Sequence, residues 1–263
     1  MSLVFFHDAT GSLDPVISLS QRIQGVRVVG VPAQDSDTFA ELTAYVELCL
    51  TRLALSGIEA PWMLAGFSFG GVLAFEAARQ LSLSRQEVAL LALLDTDPPQ
   101  PLRWRNELED TASRVLPDPE HGAPLSKRIA EAIEIRRMPF ADLQTVLPAS
   151  VLQSIPPHYQ LFPGRCRKAV RRILESMEML STYEPPNAAA PQNTFYVRSR
   201  EAAPSEYWQR LIAGPLTTID IESDHLSLLG SEGRDVVATK LNSLISTKYA
   251  SCSTPLTRSG GNG

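Results

Sequence analysis

The first hundred residues alternate short apolar runs with amphipathic stretches, and this alternation restricts the possible folds more than any other feature. The apolar runs are Leu3–Phe6, Val26–Val31, Trp62–Gly66 and Val88–Leu94. Between them, apolar residues at helical spacing predict helices over Leu13–Ile23, Thr38–Leu53 and Val72–Leu81. Continuous apolar strands separated by helices are typical of a parallel sheet covered on both faces. We therefore predict an α/β fold with a mostly parallel sheet.

Proline is unevenly distributed along the chain, with 11 of the 20 prolines between Pro98 and Pro163. This region shows no convincing strand, and its predicted helical pieces are Trp104–Leu116, Ser126–Met138 and Arg167–Tyr183. Proline can neither continue a helix nor donate to a central sheet ladder. We therefore expect these pieces to be short and angled to one another.

The strand–helix pattern resumes beyond this region. The predicted elements are Thr194–Val197, Ser205–Ile212, Leu216–Ile221 and Ser231–Ser246. Because the pattern continues on the far side, we interpret residues 97–186 as a helical lid inserted into one domain of residues 1–250, rather than as a separate domain. The small polar residues 251–263 are predicted to be disordered.

Charge and composition exclude several classes of protein. The 24 basic and 29 acidic side chains give a net charge of −5, whereas a protein whose main partner is nucleic acid is expected to carry an excess of positive charge. No run approaches the ~18 apolar residues of a membrane span, and the first residues lack the basic region of a signal peptide. Cys49, Cys166 and Cys252 are an odd number at wide spacing, as expected of free thiols in a reducing compartment. We predict a cytoplasmic protein that binds neither nucleic acid nor membrane.

The pentapeptide Gly66-Phe67-Ser68-Phe69-Gly70 follows an apolar strand and opens a helix. This is the setting of a nucleophile elbow, in which a sharp turn projects a serine hydroxyl. Glycine is required at 66 and 70 because the turn brings their backbone against Ser68, where a Cβ would clash. The alternative is a glycine-rich turn whose serine only caps the helix.

A serine hydroxyl needs a base, and the chain has four histidines. They are His7, His121, His158 and His225. The α/β-hydrolase fold, which carries such an elbow, orders its triad as Ser, Asp or Glu, then His. We therefore predict His225, just beyond the last strand, as the base. His121 and His158 are predicted at the surface, and His7 is predicted to shape the loop after the first strand.

The third group must hold the imidazole in the right tautomer. Asp95 ends the strand after the elbow helix, where its carboxylate emerges at the same sheet edge as Ser68. One alternative is that Asp97, two residues further on, is the acid. Another is that Asp95 only caps the following turn. Asp224 is adjacent to His225 in the chain and is expected to point elsewhere. We predict the amides of Phe69 and of Ala9, in the loop after the first strand, as oxyanion donors.

The chain resembles the thioesterase domains that terminate nonribosomal peptide and polyketide synthases, including related free-standing enzymes. The resemblance lies in FFHDATGS, LAGFSFGGVLAFEAARQL, LALLDTDPP and SDHLSLL. It covers Leu3 to about Pro99 and resumes at Thr194, with a helical lid between. It departs from the family at His7–Thr10, where the usual loop contains proline.

The resemblance implies that Ser68 accepts an acyl chain carried on the phosphopantetheine of an acyl or peptidyl carrier protein, with no bound cofactor and no metal. Release follows by water, by an internal hydroxyl or amine, or by a carbanion. Rival interpretations are a carboxylesterase or lipase acting on free esters with the same triad, and a binding module without catalysis. A free enzyme and an excised domain both fit the sequence.

Two sets of side chains carry secondary hypotheses. Apolar residues of the lid either line an acyl channel or simply pack its helices; they are Trp104, Phe140, Phe162, Met177 and Met179. A basic cluster either docks the acidic carrier or forms a solvated helix face; it consists of Arg165, Arg167, Lys168, Arg171 and Arg172.

Overall fold

The sheet is the centre of the computed structural model, which describes residues 1–34, 41–117, 123–185 and 193–252. Its strands are β1 Ser2–Phe6, β2 Arg27–Val31, β3 Trp62–Phe67, β4 Val88–Leu94, β5 Thr194–Arg198 and β6 Leu216–Asp220. They are ordered β2-β1-β3-β4-β5-β6, and every neighbouring pair is parallel. The prediction of an α/β fold with a mostly parallel sheet is confirmed.

The helices are α1 Asp14–Ser20, α2 Leu42–Leu55, α3 Phe69–Leu83, α4 Pro101–Val115, α5 Leu125–Ile135, α6 Phe140–Val146, α7 Ala149–Gln153, α8 Pro157–Gln160, α9 Pro163–Thr182, α10 Ser205–Gln209 and α11 Ser231–Cys252. Six of them, α4 to α9, lie between β4 and β5, where the lid was predicted. The region contains no strand among its described residues, 97–117 and 123–185.

Both faces of the sheet are buried because successive strand side chains point to opposite sides. In β1, Val4 and Phe6 pack with α2, α3 and α10, whereas Leu3 and Phe5 pack with α1 and α11. All four are at most 1% exposed. The continuous apolar runs of the sequence therefore reflect a sheet sandwiched between two helical layers.

Prolines begin the helices of the insertion instead of keeping them short. Pro101, Pro157 and Pro163 lie in the first turn of α4, α8 and α9, where a backbone N–H has no partner in the helix. Pro139 and Pro148 immediately precede α6 and α7. The expectation of uniformly short pieces is wrong, since α9 runs for 20 residues. Helices α6, α7 and α8 were not predicted, because their four to seven residues are too few to show a periodic pattern.

The insertion has an apolar core of its own, to which α4, α5, α6, α7 and α9 contribute. Helix α9 joins this core to the sheet, because Ile173 and Met177 belong to the core of the insertion while Met179 and Leu180 belong to the core against the sheet. Helix α9 therefore contributes to the wall of the space between the sheet and the insertion.

Some predicted features fall outside the described residues: the start of the predicted helix at Thr38, His121 and residues 253–263 of the predicted tail. Cys49 and Cys166 are buried and form no disulfide bond. None of the described helices is both long and apolar enough to cross a membrane.

Candidate active site

Ser68 lies between the end of β3 and the start of α3, in the sharp turn that the pentapeptide predicts. Its backbone has φ 54° and ψ −126°, a conformation that L-residues rarely adopt. Two hydrogen bonds support the turn: Ser68 N donates to Leu94 O at 2.9 Å, and Gly71 N donates to Ser68 O at 3.0 Å. The turn thus presents the serine at the carboxyl edge of the sheet, next to the end of β4.

The glycines around Ser68 are required by close backbone contacts. A Cβ at Gly66 would lie 2.0 Å from the carbonyl of Gly70, and a Cβ at Gly70 would lie 2.6 Å from the carbonyl oxygens of Phe6 and His7. The elbow is therefore packed directly against the end of β1. This contact brings the loop after β1 beside the serine.

His225 and Asp95 form a hydrogen bond of 2.6 Å between Nδ1 and Oδ2. A carboxylate only accepts, so Nδ1 carries the proton and Nε2 keeps its lone pair. The ring of Phe67 stacks on the imidazole at 4.7 Å between centroids. The other carboxylate oxygen, Oδ1, accepts from Ser199 N at 2.6 Å. The imidazole is thus held on two sides, and the Asp95 side chain is 1% exposed.

The rival residues are engaged elsewhere. Asp97 accepts from Ala203 N at 2.9 Å, and Asp224 accepts from the amide and hydroxyl of Ser227. His158 has a half-exposed side chain, in agreement with its predicted surface position. His7 is buried, donating from Nδ1 to Asp8 O and accepting at Nε2 from the hydroxyl of Tyr45, both at 2.7 Å.

The loop after β1 is closed by one carboxylate. Asp8 Oδ1 accepts from Thr10 N at 2.8 Å, Thr10 Oγ1 at 2.6 Å and Ser12 N at 3.3 Å. Burial raises the pKa of Asp8 to about 6, although these hydrogen bonds oppose the rise. Ala9, the predicted oxyanion donor, lies between Asp8 and Thr10.

A cavity of about 230 Å³ lies between the sheet edge and the helices of the insertion. Ser68, Phe69, Asp95, His225 and Ala9 all line it, so the predicted catalytic and oxyanion residues meet in one place. Its apolar wall comes from α3, α4, α7 and α9, and its polar wall from Asp97, Arg103, Ser150, Gln153, Ser154, Ser176 and Glu201. Such a mixed lining suits a ligand that carries both apolar and polar groups.

Only two of the five residues predicted to line an apolar channel line the cavity. Trp104 and Met177 line the cavity. Phe140 packs inside the insertion, Met179 is fully buried against the sheet core, and Phe162 is 53% exposed. For these last three, the packing or surface interpretation is the right one.

The basic cluster is divided by the fold. Arg165 is exposed and lies over the ring of Phe162, while Lys168 is also exposed. Arg167 pairs with Glu134 at 2.8 Å, and Arg171 pairs with Glu175 at 2.9 Å.

Arg172 is a correction to the basic cluster. Its side chain is 5% exposed and donates to Glu175 and to Gln34 O, because its position on α9 faces the segment after β2. It cannot form part of a docking surface.

Three residues of the site were missed by sequence reasoning: Asp8, Phe67 and Ser199. The spacing of Asp8 and Thr10 is a signal that was available, because Asp often accepts from the backbone two residues on. Ser199 acts through its amide and Phe67 through ring stacking, and neither contact leaves a pattern in the sequence. Within the described residues, no cluster of His, Cys, Asp or Glu has the form of a metal site.

Comparison with protein families gives one match that covers nearly the whole chain. A family model described as "Thioesterase domain" matches residues 1–245. Curated proteins match a shorter part of the chain. A non-reducing polyketide synthase of Pseudevernia furfuracea is 31% identical over 117 residues, which are 41% of this chain and 6% of that protein. Enterobactin synthase component F of Escherichia coli K12 is 32% identical over 111 residues, which are 40% of this chain and 9% of that protein. The match thus spans less than a tenth of either relative.

Among solved structures, the NocB thioesterase domain from the nocardicin cluster, crystallised as a covalent complex with a fluorophosphonate nocardicin G analogue, superposes with a TM-score of 0.58. The alignment covers 93% of this chain and 94% of that one at 21% identity. At this identity the likeness concerns the fold, which is that of an α/β-hydrolase.

Proposed function

The chain belongs to the thioesterase domain family, and from this premise we propose that it releases an acyl or peptidyl chain from the phosphopantetheine thioester of a carrier protein through an acyl-Ser68 intermediate. The observation that carries the proposal is the shared cavity, which is lined both by Ser68 and by a His225 that is hydrogen-bonded to Asp95. The polyketide synthase and enterobactin synthase relatives support the class of substrate.

The first half of the reaction forms the acyl-enzyme. Ser68 Oγ attacks the thioester carbonyl carbon while His225 Nε2 takes the hydroxyl proton. Asp95 stabilises the imidazolium, and the amides of Ala9 and Phe69 donate to the developing oxyanion. The carbon–sulfur bond then breaks, the thiol leaves with the proton from His225, and an ester to Ser68 remains.

The second half removes the acyl group. Water yields an acid, an internal hydroxyl or amine yields a ring, and a carbanion yields a condensed product. His225 takes the proton of an incoming oxygen or nitrogen, or the proton of the carbon that becomes the carbanion, and returns it to Ser68 Oγ as the ester bond breaks. The lining of the cavity selects among these nucleophiles by the space and the water that it leaves around the ester.

The carrier protein is proposed to contact the exposed basic residues of α9, namely Arg165, Lys168 and Arg171. These lie on the same helix as Ile173 and Met177, which line the cavity. An acidic carrier would be attracted to such a surface even though Arg171 also pairs with Glu175.

The proposal is tested by intact-protein mass spectrometry after mixing with acyl thioesters of N-acetylcysteamine and of a carrier protein. We expect a mass increase equal to the acyl group, located on Ser68 by peptide mapping and absent in Ser68→Ala. Ser154→Ala, which changes a serine of the same cavity, should still be acylated. Full turnover by Ser68→Ala would falsify the assignment. Rapid hydrolysis of p-nitrophenyl esters together with inert carrier thioesters would instead favour the carboxylesterase or lipase function.

A further inference from the structure

One carboxylate oxygen accepts three hydrogen bonds within the loop that carries Ala9. Asp8 Oδ1 accepts from the backbone and the side chain of Thr10 and from the amide of Ser12. The two bonds to Thr10 bracket Ala9, because they join the residues on either side of it. These bonds between Asp8 and Thr10 therefore restrict the rotation of the peptide groups of Ala9.

Other contacts also hold the loop. Asp8 O, the carbonyl of the peptide that carries the Ala9 amide, accepts from His7 Nδ1 at 2.7 Å and from Gly11 N at 3.0 Å. Asp8 N donates to Ser12 O and Ala33 N donates to Gly11 O, at 3.0 and 3.1 Å. His7 is anchored to Tyr45, and Ser176 of α9 approaches Ala9 O at 3.4 Å. Within the described parts of the chain, no hydrogen bond to the Ala9 amide is found. This amide is a donor left available at the wall of the cavity.

Asp8 and Thr10 are 8% and 7% exposed, so water offers little substitute for the bonds between them. Proline would restrict such a loop through its fixed φ, but residues 7–12 contain none. An aspartate that accepts from two following amides restricts the same backbone by hydrogen bonding. This chain thus shapes its first loop with a buried carboxylate.

We propose that Asp8 is a positioning residue that holds the Ala9 amide toward the oxyanion formed when Ser68 attacks. The proposal rests on the proposed function, since it requires an acyl-transfer reaction at Ser68. Asp8 does not touch the substrate; it acts through Ala9. Its oxygen Oδ1 is the acceptor that matters, and its negative charge is not required.

The test compares Asp8→Ala with Asp8→Asn by measuring the rate of acyl-Ser68 formation over a range of thioester concentrations. Asparagine keeps an Oδ1 acceptor, so Asp8→Asn should stay within about threefold of the wild type, whereas Asp8→Ala should lower kcat by about 10²–10³-fold, as expected for the loss of one oxyanion donor. KM should change little, because the interaction is made in the transition state.

Either of two results would overturn the proposal: an Asp8→Ala enzyme as fast as the wild type, or Asp8→Asn as impaired as Asp8→Ala. If Asp8→Ala does not fold, Thr10→Val removes only the hydroxyl donor. It should slow acylation about tenfold, and an unchanged rate would then refute the role of the loop. A wild type that never acylates Ser68 would refute the proposed function instead.

Discussion

Asp95 and His225 are separated by 130 residues in the chain and joined by a hydrogen bond of 2.6 Å. The pairing depends on β4 and β6 ending at the same edge of the sheet. The backbone of Asp95 has φ 48° and is held by its amide, which donates to Val197 O at 2.8 Å. A left-handed backbone at an aspartate is uncommon, and here it directs the carboxylate toward the imidazole.

Replacing Asp95 by asparagine should lower kcat by about 10³–10⁴-fold, because an amide nitrogen facing Nδ1 stabilises the wrong tautomer of His225. Steady-state hydrolysis of an N-acetylcysteamine thioester measures the effect. Asp97→Asn is the matched control: it lies two residues away and contacts Ala203, so it should retain activity within about threefold. Equal losses in both variants would contradict the assignment of the acid.

Replacing Asp8 by asparagine should change how stability depends on pH. Burial raises the pKa of Asp8 from 3.8 to about 6, and the nearby Asp14 adds to the rise while Thr10 and Ser12 oppose it. The native state thus favours the protonated form, and this stabilisation is present below about pH 4 and lost as the pH rises through 6. It amounts to about 3 kcal/mol at most.

Urea unfolding of the wild type and Asp8→Asn at pH 4 to 8 checks this. Relative to the variant, which stays neutral throughout, the wild type should lose free energy of unfolding across that interval. Parallel profiles for the two proteins would show that Asp8 titrates alike in the folded and unfolded states.

Gly66→Ala should damage the elbow. A Cβ there would lie 2.0 Å from the carbonyl of Gly70, and backbone cannot move aside without shifting Ser68. We expect a loss of about 1–3 kcal/mol in stability from overpacking, and a fall in kcat of about 10²-fold from misplacement of the serine. Gly164→Ala in α9 is the control, because no atom lies within 4 Å of its added Cβ. Thermal unfolding and acylation rates should be normal for this variant.

The docking surface can be tested by reversing charge at Arg165 and Arg171 together. KM for a carrier-bound thioester should rise about tenfold, while an N-acetylcysteamine thioester should be hydrolysed as before. Arg27→Glu reverses an exposed charge at the start of β2, the opposite end of the sheet, and serves as the control. An unchanged KM for the carrier substrate in the double variant would refute docking at α9.

A buried ion pair within α3 accepts a hydrogen bond from Tyr183, at the end of the lid. Glu76 is fully buried and accepts from Arg79 and from the Tyr183 hydroxyl, each at 2.6 Å. Arg79→Met would leave the carboxylate without its cation and should cost about 3–5 kcal/mol. Tyr183→Phe removes one neutral donor and should cost about 1 kcal/mol. Urea unfolding distinguishes the two, and similar small losses would show that Glu76 is satisfied without the arginine.

The sheet and the elbow could be predicted because each depends on a pattern among residues that are close together in the sequence. The apolar runs of β1, β3 and β4 indicate strands that are buried on both faces. The spacing of Gly66, Ser68 and Gly70 indicates a turn in which a Cβ has no room. The proposed triad was predicted from chain order, since parallel strands end at one edge of the sheet.

The insertion was predicted less well because proline has two opposite effects. It ends a helix from within but begins one from the first turn, as Pro101 and Pro163 do. Only the hydrogen bonds of the folded chain distinguish these positions.

By itself the sequence determined the α/β architecture, the position of the serine and the order of its partners, because backbone periodicity and steric exclusion act between near neighbours. The tertiary structure alone decided that Arg172 is buried, that only Trp104 and Met177 of the predicted channel line the cavity, and that Asp8 brackets Ala9. Those outcomes depend on how α9 crosses the sheet edge and how the first loop folds against it. Contacts between distant elements are set by packing, which no local pattern records.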